Sequence, residues 1–506
     1  MNLTKISIIF FLFNFTSYAQ NYLDLEIKQT VLSNQVKSGR LFVVFTKEKP
    51  SSVFDGIYYP DTKMNPVFGV DVKHWKMENS LLIKGNELYG FPKKTLKEIE
   101  SGKWFVQCVF KEKSTTLNNE NEIKIFSKAA EITLNQDAKT NLTLVLDEMA
   151  PQISLPKDKL HIKYETINSK LLTKFWNKPI SIGYQVVLPK SYHTESKRKY
   201  PVVLTIGGLG ERFDKEIISE EEILKGNLPE MILIRVDSKA VFGDSYLMNS
   251  LNNGPYSDVL IQEIFPYLES KYRCIKDSNA RFLTGTSTGG WTSLALQIFY
   301  PDFFNGVWST CADPVDFRQL GLINIYEDKT AFINKYGLER PGMRDMNGEI
   351  HYTIRTEIWA ENLLGLTNSY TSSYGQWGSW NAVFGLKDLK TELPKSLFNP
   401  ETGEIDSEVV QSWKRYDLRL YLSENWQRIG EKLQGKLNLW MGTMDHYYLN
   451  NAMNLFDDFV KMTNNPVSDA KIHFICGEGH DCYKAISFQT ILEQMHKRYE
   501  KTKKNE

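Results

Sequence analysis

A short segment in the second half of the chain most constrains the fold. Residues 285–289 read Gly-Thr-Ser-Thr-Gly, a match to the pattern Gly-x-Ser-x-Gly. The apolar residues 280–284 before it predict a strand, and residues 290–300 after it predict a helix that stops at Pro301. A serine in such a connection has a strained backbone and an exposed hydroxyl, and the glycines leave room for the turn. The pattern therefore predicts Ser287 as a nucleophile, the alternative being an ordinary flexible turn.

The rest of the C-terminal two thirds predicts a parallel sheet covered by helices. Apolar runs typical of buried strands alternate there with segments of helical periodicity. The predicted strands include residues 180–188, 200–206, 231–236, 306–310, 437–441 and 471–475. We expect residues 161–500 to form a doubly wound α/β domain with a mostly parallel sheet.

A long segment separates the predicted strands 306–310 and 437–441, and a plain loop of that length is uncommon. We interpret residues 317–430 of this segment as a cap insertion. Its aromatic and arginine side chains could hold a substrate by stacking on rings or by pairing with a carboxylate, although the aromatic side chains could equally only pack the cap. The candidate substrate-binding residues are Trp377, Trp380 and Arg344 in the insertion, together with Tyr256 outside it.

The N-terminal part follows a different pattern. Residues 20–147 alternate apolar and polar positions with turn residues between them, as in 104–110 and 142–146. This two-residue alternation predicts a small all-β, sandwich-like accessory domain for scaffolding or substrate contact. Residues 148–160 lack periodicity, contain Pro151 and Pro156, and are interpreted as a linker.

The first residues predict export. Lys5 precedes an apolar run at residues 6–15, and a small-x-small cleavage site ends at Ala19. Residues 1–19 are thus a predicted signal peptide, and the mature protein is expected in the periplasm or outside the cell. No later segment is long and apolar enough to predict a membrane span.

Composition excludes some partners. The 506 residues contain 61 Lys and Arg against 61 Asp and Glu, so there is no basic field to attract nucleic acid. The five cysteines are Cys108, Cys274, Cys311, Cys476 and Cys482. An odd number leaves at least one free thiol or an intermolecular bond. Cys476 and Cys482 are the expected pair because they are close in sequence, and buried free thiols are the alternative.

A serine nucleophile needs a base, and the base needs an acid to orient it. In one common arrangement the chain order is serine, acid, histidine, with each group after a strand. His480 follows the strand 471–475, and Asp445 follows the strand 437–441, so these two are the predicted base and acid. Asp313, after the strand 306–310, is the second choice for the acid.

An oxyanion hole needs two N–H donors near the nucleophile. The backbone of Thr288 is one candidate, and the glycine-rich loop after residues 200–206 offers Gly208 or Leu209 as the other. The scattered histidines predict no metal site, and no dinucleotide-binding pattern follows a strand, so no cofactor is expected.

These features together resemble a known family. Residues from about 160 to 500 look like the esterase group of α/β hydrolases that includes esterase D, feruloyl esterases and enterochelin esterases. The resemblance rests on residues 200–203 before the glycine-rich loop, on 253–256, on 261–273 and on 285–290. It implies a serine esterase that acts on an ester of a larger molecule. Where this group commonly has His-Gly-Gly, the chain has Ile206-Gly207-Gly208.

Export, an accessory β domain and an aromatic cap favour an ester on a polysaccharide or oligosaccharide, with an acetyl, feruloyl or uronate group. One alternative is a siderophore esterase, which should have a cationic pocket. Another is a glycan-binding protein on an inactive hydrolase scaffold, although the Ser, His and Asp set argues against it. The sequence predicts no oligomeric state.

Overall fold

The computed structural model describes residues 22–32, 35–50, 64–112, 124–135, 138–151 and 154–503. The predicted signal peptide lies outside these residues, and the predicted linker lies partly outside them. Among the helices in the described ranges, none has the length and apolar character needed to cross a membrane.

The N-terminal part is all-β, as predicted. Its strands are β1 (Tyr22–Gln29), β2 (Val36–Thr46), β3 (Val67–Lys76), β4 (Leu81–Lys84), β5 (Tyr89–Phe91), β6 (Gly102–Glu112), β7 (Lys124–Ser127), β8 (Ala130–Leu134) and β9 (Lys139–Met149). They form one continuous sheet in the order β4-β1-β9-β7-β6-β2-β3-β5, with β8 beside β6. The β1–β9 pair is parallel, and the other described pairs in this sheet are antiparallel.

Alternation along these strands builds the N-terminal core. On β2, Leu41, Val43 and Phe45 are buried in one cluster, while Phe42 and Val44 belong to a second cluster on the opposite face. A strand that is apolar on both faces must be covered on both sides, because successive side chains point to opposite faces. The second cluster also contains Leu363, which belongs to the C-terminal part of the chain.

The C-terminal part contains a second large sheet. Its strands are β10 (Ile162–Asn168), β11 (Ser181–Val187), β12 (Val202–Ile206), β13 (Ile232–Val236), β18 (Arg281–Thr286), β19 (Val307–Thr310), β22 (Leu437–Gly442) and β23 (Lys471–Ile475). Three small two-stranded sheets lie between them in the chain: β14 (Lys239–Ala240) with β15 (Gly243–Asp244), β16 (Asn249–Ser250) with β17 (Gly254–Pro255), and β20 (Pro341–Arg344) with β21 (Ile350–Thr353). The sheet order is β10-β11-β13-β12-β18-β19-β22-β23. Pairs from β13 onward are parallel, and the first two pairs are antiparallel.

Helices cover both faces of this sheet. They are α1 (Lys170–Trp176), α2 (Glu220–Lys225), α3 (Tyr256–Val259), α4 (Phe265–Lys271), α5 (Thr288–Phe299), α6 (Ile354–Leu364), α7 (Gln376–Phe384), α8 (Ser407–Trp413), α9 (Leu418–Ile429), α10 (Leu449–Met462) and α11 (Phe488–Lys503), with a π-helical turn at Leu260–Ile264. On β12, Val202 and Leu204 pack in a cluster with α5, whereas Val203 packs in another cluster with Leu492 of α11. The strand order and the two covered faces are those of an α/β-hydrolase domain.

The cysteine pairing differs from the expectation. Cys311, directly after β19, forms a disulfide with Cys482, with a Cα–Cα distance of 6.2 Å. Cys108 and Cys274 are buried free thiols, and Cys476 is an exposed one. The predicted Cys476–Cys482 pair is therefore wrong. Cysteines that are distant in sequence pair here because the fold brings the end of β19 next to the loop after β23.

Candidate active site

The Gly-Thr-Ser-Thr-Gly segment forms the predicted strand–turn–helix connection. Ser287 lies between β18 and α5 with φ 58° and ψ −123°, a conformation that non-glycine residues rarely adopt. A Cβ atom on Gly285 would lie 2.2 Å from the carbonyl oxygen of Gly289, and one on Gly289 would lie 2.2 Å from that of Ile206. Both glycines are therefore required by close backbone packing, and they hold Ser287 at the N-terminus of α5.

His480 and Asp445 form a direct hydrogen bond. His480 Nδ1 lies 2.8 Å from Asp445 Oδ2, and Asp445 is completely buried. The backbone N–H groups of Tyr447 and Leu449 donate to the other oxygen of Asp445 and fix the carboxylate. Because the carboxylate accepts from Nδ1–H, Nε2 is left as the basic nitrogen of neutral His480.

The surroundings of His480 shift the pKa of its imidazole. Burial lowers the pKa of His480, but the hydrogen bond to Asp445 and the charges of Asp445, Asp313 and Asp481 together outweigh burial, so the pKa lies above its ordinary value. This is the environment expected of a general base that must hold a proton during the reaction.

Asp313, the second choice for the acid, lies next to the nucleophile. Its Oδ1 is 3.5 Å from Ser287 Oγ. Its Oδ2 accepts hydrogen bonds from Tyr246, Thr288, Gln376 and Trp380. Burial raises the pKa of Asp313 above its ordinary value, although these donors oppose the shift. The geometry thus brings two carboxyl groups to the site, and Asp445 is the one that hydrogen-bonds the histidine.

The oxyanion candidates differ in their hydrogen bonds. The N–H of Gly208 donates to Glu211 Oε2 at 3.2 Å, so it is already engaged. Leu209 lines the same cavity as Ser287, and Thr288 is the first residue of α5. Of the two candidates in the glycine-rich loop, Leu209 is therefore the one whose N–H is not engaged by Glu211, and Thr288 stays the candidate for the other donor.

A cavity of about 440 Å³ contains the candidate nucleophile and base. Aromatic residues of its wall are Tyr352, Tyr374, Trp377, Trp380 and Tyr447. The predicted substrate residues Trp377 and Trp380 are thus in the wall, and Trp380 also donates to Asp313. The described wall residues include neither lysine nor arginine.

The other two predicted substrate residues lie elsewhere. Arg344 donates to the backbone oxygen of Asp445 at 3.2 Å, and its guanidinium lies 4.5 Å from the centre of the Tyr448 ring. Arg344 therefore stabilises the loop that carries the candidate acid. Tyr256 is buried and donates to the backbone oxygen of Lys239, away from the cavity wall.

Sequence reasoning missed two acidic residues of α6 in the cavity wall, Glu357 and Glu361. Glu361 accepts hydrogen bonds from the backbone N–H groups of Trp377 and Gly378 and so caps α7. Burial raises the pKa of Glu357 to about 8 and that of Glu361 to about 7. Their spacing of four residues on an otherwise apolar helix face was the available signal. Within the described ranges no cluster of His, Cys, Asp or Glu is arranged to hold a metal ion.

Solved structures with a similar course of the chain include esterases and related hydrolases. A ferulic acid esterase is 17% identical, with 66% of this chain and 100% of that chain covered and a TM-score of 0.38. A ferulic acid esterase from Anaeromyces mucronatus in complex with ferulic acid is 14% identical, with 68% and 92% covered and a TM-score of 0.33. An S-formylglutathione hydrolase from Agrobacterium tumefaciens is 12% identical, with 68% and 97% covered and a TM-score of 0.36.

The family assignment rests on sequence. The model of the family described as "Putative esterase" matches residues 179–498, which include the β18–α5 turn and both strand ends that carry His480 and Asp445. The matched range spans more than half of the chain. The chain belongs to this esterase family and is a serine hydrolase of carboxylic esters.

Proposed function

We propose that this protein is an exported esterase that uses Ser287 as nucleophile, His480 as base and Asp445 as the orienting acid. The observation that carries the proposal is the position of Ser287, in a positive-φ turn at the start of α5 and in one cavity with His480. The buried Asp445, 2.8 Å from His480 Nδ1, supports the assignment of the acid.

The reaction would follow the acyl-enzyme route. His480 Nε2 takes the proton of Ser287 Oγ as this oxygen attacks the ester carbonyl carbon. The backbone N–H groups of Thr288 and Leu209 stabilise the negative oxygen of the tetrahedral intermediate. His480 then protonates the departing alcohol, and the acyl group stays on Ser287. A water molecule, deprotonated by His480, releases the acid and restores the serine.

The proposed substrate is an ester on a polysaccharide or oligosaccharide. The cavity wall combines flat aromatic rings with hydrogen-bonding carboxyl groups, and this combination suits sugar rings, which present apolar faces and hydroxyl donors. We therefore propose the insertion at residues 317–430, which supplies α6 and α7, as the substrate-binding cap.

Export is supported by residues 1–19 and by the Cys311–Cys482 disulfide, since such bonds persist in oxidising compartments. The siderophore alternative required a cationic pocket, and the described wall residues give it no support. The hydrogen-bonded His480–Asp445 pair argues against an inactive binding scaffold.

The test compares the mature protein with Ser287→Ala. We expect the wild type to hydrolyse p-nitrophenyl acetate and to release acetate or ferulate from esterified glycans, and Ser287→Ala to lose both activities. Ser423→Ala, the same substitution at an exposed position of α9, is the matched control and should keep full activity. Equal activity of wild type and Ser287→Ala would refute the assigned nucleophile. Release of acid from siderophore triesters but from no glycan would refute the substrate class.

A further inference from the structure

Helix α6 separates the candidate active-site cavity from the N-terminal sheet. Ile354, Glu357, Glu361 and Leu364 lie three or four positions apart, so they share one face of the helix, and all four line the cavity. Trp359 and Leu363 are four positions apart and pack against the N-terminal part of the chain. One helix thus takes part in both the cavity wall and the domain contact, and Ala360 and Leu364 belong to both.

Arg40 of β2 is the main polar contact across this boundary. It is only 3% exposed, and its Nε donates to the backbone oxygen of Leu363 at 2.7 Å, at the C-terminal end of α6. Nη2 donates to Asn368 Oδ1 at 2.7 Å, and Nη1 donates to Asp71 Oδ1 at 2.6 Å. A guanidinium at a helix C-terminus satisfies the free carbonyl groups and complements the helix dipole. Arg40 therefore fixes the end of α6 to the N-terminal sheet.

Trp359 makes a second contact near the middle of the helix. Its Nε1 donates to the backbone oxygen of Gly90 on β5 at 2.8 Å, and its ring meets Phe91 edge to face at 4.9 Å. The surrounding apolar cluster contains buried side chains from both parts: Phe42, Val44, Val67, Phe91, Val109, Phe126, Ala360 and Leu363. Burial of this apolar surface stabilises the contact between α6 and the N-terminal sheet.

The N-terminal sheet also reaches a residue of the cavity wall. Lys111 Nζ of β6 lies 4.9 Å from the centre of the Tyr374 ring, and Tyr374 lines the cavity. The loop that follows α6 also contacts the N-terminal sheet, because the backbone N–H of Thr367 donates a hydrogen bond to Asp71 at 2.6 Å. Helix α6, the loop after it and the wall residue Tyr374 are therefore all attached to one domain.

We infer that the N-terminal β domain is a structural part of the substrate site, with Arg40 and Trp359 as positioning residues that act through α6. The domain sets the width of the cavity beside Glu357 and Leu364, where a bulky part of the ester would lie. It does not contribute to the reaction at Ser287 and His480. This inference rests on the proposed function, since it assigns the same cavity to the substrate.

The test uses Arg40→Ala and Trp359→Phe, with Lys139→Ala as control. The control removes an exposed ion pair to Asp24 in the same domain, away from α6. Trp359→Phe keeps an aromatic ring but loses the hydrogen bond to Gly90, so it stays informative if Arg40→Ala fails to fold. Each variant is assayed with p-nitrophenyl acetate and p-nitrophenyl ferulate, and hydrogen exchange of α6 is followed by mass spectrometry.

We expect faster exchange in α6 and a fall of about tenfold in kcat/KM for the ferulate, mainly through KM. For the acetate we expect a change of less than about twofold, because a small acyl group does not need the far wall. The inference is overturned if both folded variants keep the wild-type exchange of α6, or if the two substrates lose kcat/KM equally. Failure of the proposed function would instead appear as acetate hydrolysis that survives in Ser287→Ala.

Discussion

Asp313 Oδ1 lies 3.5 Å from Ser287 Oγ, so a second buried carboxyl group adjoins the candidate nucleophile in addition to the one that holds the histidine. In the fold, Asp313 follows β19, and Asp445 follows the neighbouring strand β22. The two carboxyl groups make different contacts, and their roles can be separated by matched substitutions.

Asp445→Asn should reduce kcat by roughly 10³-fold or more, because the amide no longer selects the productive tautomer of His480 or stabilises its protonated form. Asp313→Asn should reduce kcat by about tenfold at most, since Asp313 accepts no hydrogen bond from the imidazole. Steady-state assays with p-nitrophenyl acetate measure both. The reverse ranking would identify Asp313 as the acid.

The pH profile should follow the protonation of His480. Only the neutral imidazole can accept the serine proton, so kcat/KM should rise with pH and level off above the pKa of His480. Because Asp445 holds this pKa above the ordinary value of 6.5, the midpoint of the rise should lie above pH 6.5. In Asp445→Asn the midpoint should move to lower pH. A wild-type midpoint well below 6.5 would contradict the assigned base.

Glu357→Gln should make the protein less sensitive to alkaline pH. The pKa of Glu357 is raised from 4.5 to about 8 by burial, so the folded state holds a proton that the unfolded state has lost between these values. The free energy of unfolding should therefore fall as pH rises through this window. At pH 8 the variant should be more stable than wild type by roughly 4 kcal/mol, and near pH 4.5 the advantage should nearly vanish. Urea denaturation at both pH values tests this, with exposed Glu424→Gln as control.

The disulfide should matter for catalysis as well as stability. Cys482 lies two residues after His480, and its bond to Cys311 ties the histidine loop to the end of β19. The double variant Cys311→Ser and Cys482→Ser should lose about 2–4 kcal/mol of stability and about tenfold in kcat. Cys476→Ser should behave as wild type, because Cys476 is an exposed free thiol. Peptide mapping that found Cys476 bonded to Cys482 would contradict the structure.

Gly289→Ala should prevent the β18–α5 turn from forming. Its new Cβ would lie 2.2 Å from the carbonyl oxygen of Ile206, and a backbone group cannot move aside cheaply. We expect a loss of stability of about 3 kcal/mol or more and no measurable hydrolysis. Gly208→Ala is the matched substitution in the adjacent loop, where the nearest atom would be 3.8 Å away, and its melting temperature should stay near that of wild type. Similar melting temperatures for both variants would contradict the packing.

The parallel core of the sheet was readable from sequence because its strands are short segments rich in apolar residues, most clearly in β12 and β13. The predicted strand at residues 471–475 coincides with β23 (Lys471–Ile475), and the one at 437–441 differs from β22 (Leu437–Gly442) by one residue. The proximity of His480 and Asp445 was also predictable, because both residues follow parallel strands and such strands end at one edge of the sheet.

Features that depend on contacts between distant segments were not readable in this way. The wall residues Glu357 and Glu361 look like exposed helix positions until α7 packs over them, and Arg344 resembles a carboxylate-binding residue until its contact with the Asp445 loop is seen. Arg40 gives no local sign that its partner is the end of α6, more than three hundred positions away along the chain. Burial and partners of this kind arise from tertiary packing alone.

The segment of residues 311–436 leaves the sheet after β19 and returns at β22, and these two strands are hydrogen-bonded neighbours. Its two ends are therefore anchored side by side, whatever lies between them. Outside its contact with the Asp445 loop through Arg344, the segment can change in length or shape without shifting the strand ends beside it. In this architecture, a change of cavity shape does not require a change in the sheet that positions the candidate reacting groups.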